Sequence, residues 1–307
     1  MPPLIVFMGT PAFAVPSLRA LARHYSVAGV VTQPDRPAGR GQQLVVMLVK
    51  QTALQLNLPL LQPQNLHSPE AMAQLAAWKP DLIVVAAFGQ ILRPKVLDLP
   101  PHGCVNVHGS LLPRHRGAAP IPAAILSGDT EAGVTIMRMA TGVDTGPMLA
   151  KCATPIASDD TTASLTERLA HIGAALLIDT LPAYLAGVLV PEPQDEAQAT
   201  YAPQLAKEDG HLDFDRPAVE LERRVRAFAP WPGAFAVWQG QPLKILSATL
   251  AGADGAPGTV LAGEAGPVVC CRPGGLRLVE VQAAGKKPLP ASTFVRGARG
   301  FVGSRLE

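Results

Sequence analysis

Gly103-Cys-Val-Asn-Val-His-Gly-Ser-Leu-Leu-Pro113 is the stretch from which the fold of this chain is read. Apart from Asn106, residues 103–107 are apolar, as in a buried parallel strand, and a Gly/Pro-broken turn follows. Residues two apart on a strand share a face, so Asn106 and His108 project together. Left unpartnered in such a strand, an amide and an imidazole cost about 1–3 kcal/mol each, so something polar is expected to meet them.

Outward from that strand, the first half alternates β-branched runs with helical patterns. The order is Leu4–Met8 then Ala14–Arg23, Val27–Thr32 then Val45–Asn57, Leu58–Gln62 then Pro69–Trp78, and Asp81–Phe88 then Val105–Val107. Such βαβα alternation predicts an α/β fold, a Rossmann-like parallel sheet with helices on both faces. Gly9-Thr-Pro after the first strand is not G-x-G-x-x-G, which argues against a nicotinamide enzyme. Ala132–Met139 and Gly146–Ile156 read as further strands, and Thr161–Leu185 as a long helix capped by Asp159 or Asp160. A Pro-containing polar run from Val190 breaks the pattern, so the chain divides into a domain over 1–189, a surface linker over 190–208 and a second domain over 209–307. In the second, a helix at Pro217–Phe228 precedes five short strands with Gly-rich turns, the spacing of a small β-barrel.

At 307 residues the chain is long enough for two cores. With 48% hydrophobic and 16% charged residues, and no run of about eighteen apolar ones, it reads as soluble, cytoplasmic and without a membrane span. Its first residues lack a basic segment and read as a strand rather than a signal peptide. Four cysteines without C-x-x-C spacing suggest free thiols in a reducing compartment. His24, His67, His102, His115, His171 and His211 lack acidic or cysteine partners at ligand spacing, so no metal is expected. Residues 1–204 carry 13 Lys/Arg against 14 Asp/Glu, whereas residues 205–307 carry 13 against 10. The basic excess in the smaller part suits an anionic partner.

His108-Gly-Ser-Leu-Leu-Pro113, Arg116-Gly-Ala-Ala-Pro-Ile121 and Thr141-Gly-Val-Asp-Thr-Gly146 together resemble the signature of the folate-dependent formyltransferases. The resemblance runs from Val6-Phe-Met-Gly-Thr-Pro11 through Gln33-Pro-Asp-Arg-Pro-Ala-Gly-Arg-Gly41 to Ala227-Phe-Ala-Pro-Trp-Pro232 and Ala284-Gly-Lys-Lys287. Its Arg-Gly-Ala-Ala-Pro-Ile and Arg-Pro-Ala-Gly-Arg-Gly forms point to the branch that acts on tRNA. What it implies is an OB-like form for the barrel and transfer of a formyl group from 10-formyltetrahydrofolate to the methionyl amine of charged initiator tRNA, by a monomer.

Formyl transfer to an amine passes through a tetrahedral intermediate whose oxyanion needs preorganised donors. Asn106 and His108 can supply them, and a carboxylate from Asp144 beside the imidazole favours its charged form and can relay the amine's proton. Taken singly, these residues have ordinary uses as a structural amide, a satisfied core histidine and a turn aspartate. Together, at the resemblance's positions, they read as a catalytic set. The resemblance also places Phe88, Gly89, Ile91 and Leu92, the turn residues Ser110, Leu111, Leu112 and Pro113, and Val143 at the folate site. Phe88, Ile91 and Leu92 can equally be plain core, and Met139, Gly142 and Val143 have the same two readings. For tRNA it implies Arg36 and Arg40 in the loop Gln33–Leu44, which is otherwise a solvated connection, and the basic residues Arg223, Arg224, Arg226, Lys286 and Lys287. Gln42-Gln43 stands where the family has Lys-Lys, and Val46-Met47-Leu48 where it has Pro-Ser-Pro, which lightens the loop's phosphate grip and lets the next helix begin earlier.

A formyltransferase for a purine precursor shares the trio but lacks the C-terminal barrel. One for an amino sugar can carry an extra domain and stays open as a rival. A catalytically dead RNA-binding module explains the basic domain but requires no polar trio at a strand end.

Overall fold

The computed structural model describes residues 2–38, 43–45 and 47–307. From the start of the chain come β1 (Leu4–Gly9), α1 (Val15–His24), β2 (Ser26–Val31), β3 (Arg36–Ala38), β4 (Gln43–Val45), α2 (Leu48–Gln55), β5 (Leu60–Leu61), α3 (Pro69–Ala77), β6 (Leu82–Ala86), α4 (Pro94–Leu97), β7 (Cys104–His108), β8 (Arg116–Gly117) and α5 (Pro120–Ser127). Then follow β9 (Glu131–Arg138), β10 (Met148–Pro155), α6 (Thr162–Leu185) and β11 (Tyr201–Ala202). Seven strands form one sheet in the order β10-β9-β7-β6-β1-β2-β5. β1, β2, β5, β6 and β7 are parallel, and their apolar runs pack on both faces, as a strand covered by helices requires. Ile5, Val6, Phe7 and Met8 are fully buried.

The other edge of the sheet is antiparallel. β9 runs antiparallel to β7, and β10 antiparallel to β9, the latter pair joined directly by the loop 139–147 with no crossover helix. Since β2 and β5 lie on one side of β1, and β6 and β7 on the other, the strand order reverses at β1/β6. In open α/β sheets, the crevice at the carboxyl ends beside such a reversal is where ligands bind.

Local signals explain several ends. α3 starts at Ser68, whose hydroxyl accepts from the Ala71 amide at 3.2 Å, with Pro69 in the first turn. The cap of α6 is Thr161, not Asp159 or Asp160: Thr161 Oγ1 accepts from the Ser164 amide and the Thr161 amide donates to Ser164 Oγ. Asp160 instead accepts from the Ala157 amide and from Ser164 Oγ. Where a solvated loop or an early helix start was expected, β3 and β4 pair antiparallel, with Arg36 opposite Val45, and α2 begins only at Leu48. Arg40 and Gln42 lie outside the described residues.

By compactness the chain divides into one unit of residues 1–120, 131–155 and 166–202, and a second of 121–130, 156–165 and 203–307. The linker expectation is thereby corrected over 190–202, which belong with the sheet. Glu192 exchanges both backbone bonds with Met148, and β11 pairs in parallel with β8. Prolines hide this strand character by interrupting its periodicity.

In the second unit, α7 (Ala218–Ala227) precedes β12 (Phe235–Trp238), β13 (Gln241–Ala251), β14 (Val260–Leu261), β15 (Val268–Cys270), β16 (Gly275–Ala283), β17 (Leu289–Pro290) and α8 (Ala291–Gly297). The antiparallel order is β12-β13-β16-β15-β14, with β17 on β16. The sheet is joined to itself by the last residues. Val237 of β12 exchanges both backbone bonds with Glu307, while Thr259 bridges Arg305 and the Leu306 amide donates to the Gly258 carbonyl. Leu221, Val225, Ile245, Leu278 and Phe301 fill the interior.

Candidate active site

Asn106 and His108 close β7, opposite Met137 and Thr135 of β9, with Asn106 also beside Val85 of β6. Both are more than nine-tenths buried. Asp144 meets them from the loop between β9 and β10. Its Oδ1 accepts from Asn106 Nδ2 at 3.4 Å, and its Oδ2 lies 3.6 Å from His108 Nδ1 and accepts from the Gly117 amide at 2.9 Å. His108 Nε2 is 3.0 Å from the His115 carbonyl, an acceptor only, so Nε2 carries a proton and Nδ1 is the nitrogen turned to the carboxylate. Asp144 has a φ of +52°, in the left-handed region that a short polar side chain tolerates.

The turn after β7 is tied from within. Ser110 Oγ donates to the Arg114 carbonyl at 2.6 Å, and Thr135 Oγ1 donates to the Ser110 carbonyl while accepting from the Leu112 amide. Leu112 packs with Met137 and Met148, and Leu111 lies against Gly133. Pro113 follows a cis peptide, and the His115 amide donates to Thr200 Oγ1 at 2.8 Å.

Arg116, next to Gly117, is fully buried. Its Nη1 and Nη2 donate to both oxygens of Glu196 at 2.9 and 2.7 Å, and its Nε donates to Gln194 Oε1 at 2.9 Å. The ion pair raises the guanidinium's pKa and holds the Glu196 carboxyl below its ordinary range. Gln194 Nε2 in turn donates to the Asp144 and Gly146 carbonyls, at 2.7 Å each. Sequence reading missed Gln194, Glu196, Thr135 and Thr200. Only Arg116, the first residue of the Arg-Gly-Ala-Ala-Pro-Ile stretch, carried a signal.

The expected folate residues separate. Phe88 and Leu92 take the core alternative, packed with Val85 and Val96. The Phe88 carbonyl accepts from Thr10 Oγ1 and Gln33 Nε2. Ser110 and Leu112 are buried, whereas Ile91 is 78% and Val143 55% exposed, and Gly89 is open too. An apolar side chain so exposed is free to meet a flat ligand.

Of the residues expected at phosphate, two have partners within the chain. Arg226 forms a bidentate pair with Glu222 one helical turn away, at 2.6 and 2.9 Å, and donates to the Asp160 carbonyl. Arg224 lies over the Phe228 ring and donates to the Asp209 carbonyl, and burial lowers its pKa. Arg223 rests its guanidinium against Gly128. Lys286 and Lys287 are exposed in the turn between β16 and β17.

All four cysteines are free thiols, and burial pushes Cys104 up to about 12. Among the described residues no group of three His, Cys, Asp or Glu side chains is placed to hold a metal, and no helix is long and apolar enough to cross a membrane.

An α/β sheet with an amide, an imidazole and a carboxylate converging at its strand ends has the constellation of an acyl-group transferase. Residues 4–181 match the formyl transferase family, and 204–299 its C-terminal domain family. The chain is 50% identical over 311 aligned residues to the methionyl-tRNA formyltransferase of Roseiflexus sp. strain RS-1, covering 100% of this chain and 96% of that protein. To the enzyme of that name from Thiobacillus denitrificans it is 53% identical, with 98% and 99% covered. Among solved structures, the sugar 3N-formyl transferase WlaRD, in the presence of dTDP and 5-N-formyl-tetrahydrofolate, shares the fold with a TM-score of 0.67 at 18% identity, over 94% of this chain and 99% of that one. The chain belongs to the formyl transferase family.

Proposed function

We propose that this chain transfers the formyl group of 10-formyltetrahydrofolate to the amino group of methionyl initiator tRNA, with Asn106, His108 and Asp144 as its catalytic residues. The observation that supports it most is the single Asp144 carboxylate facing both the Asn106 amide and the His108 imidazole at the end of β7. The methionyl nitrogen attacks the formyl carbon, and the carbonyl oxygen takes negative charge. Asn106 Nδ2, with a second hydrogen beyond the one given to Asp144, stabilises that oxyanion, and His108 supplies positive charge once Nδ1 takes up the amine's proton. The intermediate collapses as the bond from carbon to folate N10 breaks. The amine gives up a proton and N10 gains one, with Asp144 and His108 within range to move it. Separations of 3.4 and 3.6 Å are of the kind that tighten when substrate is bound.

Folate is proposed to lie over Gly89, Ile91, Ser110 to Pro113 and Val143, with backbone groups fixing the pterin and the exposed Ile91 and Val143 covering it. For tRNA phosphates, the favoured contacts are Lys286 and Lys287, with Arg36, Arg40 and Arg223. The names of the relatives at about 50% identity support tRNA as acceptor. The test is transfer of radiolabelled formyl from 10-formyltetrahydrofolate, offered charged initiator tRNA, charged elongator tRNA and an amino sugar nucleotide. Label on initiator tRNA alone is expected. Label on the sugar alone overturns the proposal.

A further inference from the structure

We propose, resting on the formyl-transfer reading above, that Gln194 is a positioning residue: its side-chain amide sets the reach of the Asp144 carboxylate toward His108 and Asn106. Gln194 sits outside every sequence motif, yet both of its amide hydrogens and its Oε1 are engaged at this site. Nε2 joins the two carbonyls that flank Thr145, those of Asp144 and Gly146, and Oε1 receives the Arg116 Nε–H. The opposite amide orientation would set an oxygen against two carbonyls and an NH2 against a guanidinium, so one orientation survives. Arg116 holds Gln194 in place because it is fully buried and clamped on Glu196.

The following residue, Gly117, grips the Asp144 carboxylate directly. The same two residues, 116 and 117, thus fix Asp144 twice, at its side chain through Gly117 and at its main chain through Gln194. A left-handed backbone at a non-glycine residue persists only where its surroundings over-determine it, and these bonds do so. The contacts from Asp144 to His108 and Asn106 are looser than full hydrogen bonds, so a shift of a few tenths of an ångström in the loop decides whether they form. The titratable groups set against His108 are Asp144 from the loop and His115, through its carbonyl, from the turn. Arg116 and Glu196, which reach the Asp144 main chain through Gln194, pair with each other.

The experiment uses the full-length enzyme with Gln194→Met, which keeps the volume and removes the amide, and Gln194→Glu, which keeps the acceptor toward Arg116 and removes both donors. Catalytic groups displaced by a fraction of an ångström to an ångström cost about tenfold to a hundredfold. In Gln194→Met, kcat is expected to fall by about that factor while KM for folate and for tRNA stays within about twofold. With 15N-histidine labelling, the His108 ring signals are expected to shift in Gln194→Met as the carboxylate moves away from Nδ1. Gln194→Glu is expected to be weaker at neutral pH and to recover relative to wild type as the introduced carboxyl protonates and regains a donor. Loss of kcat with unmoved His108 ring signals, or kcat within twofold of wild type, overturns the proposal. If wild type fails to formylate methionyl-tRNA, the functional reading falls, and the His108 ring signals still decide the positioning role by themselves.

Discussion

His108 donates its Nε2–H in a hydrogen bond to the His115 carbonyl and keeps Nδ1 for exchange, so the ring can be both a fixed donor and a site of proton transfer. Asn106→Ala, His108→Ala and Asp144→Ala are each expected to lower kcat by about a hundredfold, Asn106 as an oxyanion donor and His108 with Asp144 as the groups that move the proton. Pairs of these changes should cost far less than the product, because the three act as a unit. Initial rates beside circular dichroism check this, and near-normal kcat in any two natively folded single variants removes the assignment. The shared face of Asn106 and His108 was legible from period two alone. Asp144 was not, since nothing local reports that a loop 38 residues after Asn106 returns to it, and the motif resemblance supplied that partner. Gln194 left no trace, because a glutamine among prolines and acids is indistinguishable from a solvated one until its partners are in place.

Residues 192–202 form a strap whose polar side chains point to specific groups: Gln194 to the Asp144 loop, Glu196 to Arg116 and Thr200 to His115. Polar composition and prolines made it look like a linker, while the pairing of β11 with β8 makes it part of the first unit. Its electrostatics give a pH dependence. The Glu196 carboxyl is held below its ordinary value of 4.5, chiefly by hydrogen bonding to Arg116. A group with a depressed folded-state pKa contributes stability that is fully present above the unfolded value and is lost as pH falls through the folded one. Below about pH 4.5 that contribution fades, and Arg116 is left charged and buried without its partner. Glu196→Gln should therefore lower Tm at neutral pH and show a flatter decline of Tm on acidification. Parallel Tm profiles of variant and wild type would remove the pair from the acid limb.

Across the whole chain, the excess of three positive charges lies in residues 205–307, but the folded second unit uses Arg224 and Arg226 for its own packing. Lys286 and Lys287 remain exposed, and under the proposed function they attract phosphate at long range. KM for tRNA should rise with salt, and Lys286→Ala/Lys287→Ala should flatten that dependence by roughly one unit of logarithmic slope per lost contact, with KM for folate unchanged. A salt series of initial rates checks it, and an unaltered slope excludes these lysines from the contact. Sequence alone determined the α/β class, the strand that bears Asn106 and His108 and a second, mostly β domain, because hydrophobic period and Gly/Pro punctuation are local properties. Tertiary structure alone decided the antiparallel edge of the sheet, the joining of the second sheet through residues 303–307, the internal use of two arginines and the strap that holds Asp144. Those features rest on pairings between residues far apart in the chain, and the free energy of such a pairing depends on where the fold has carried both partners.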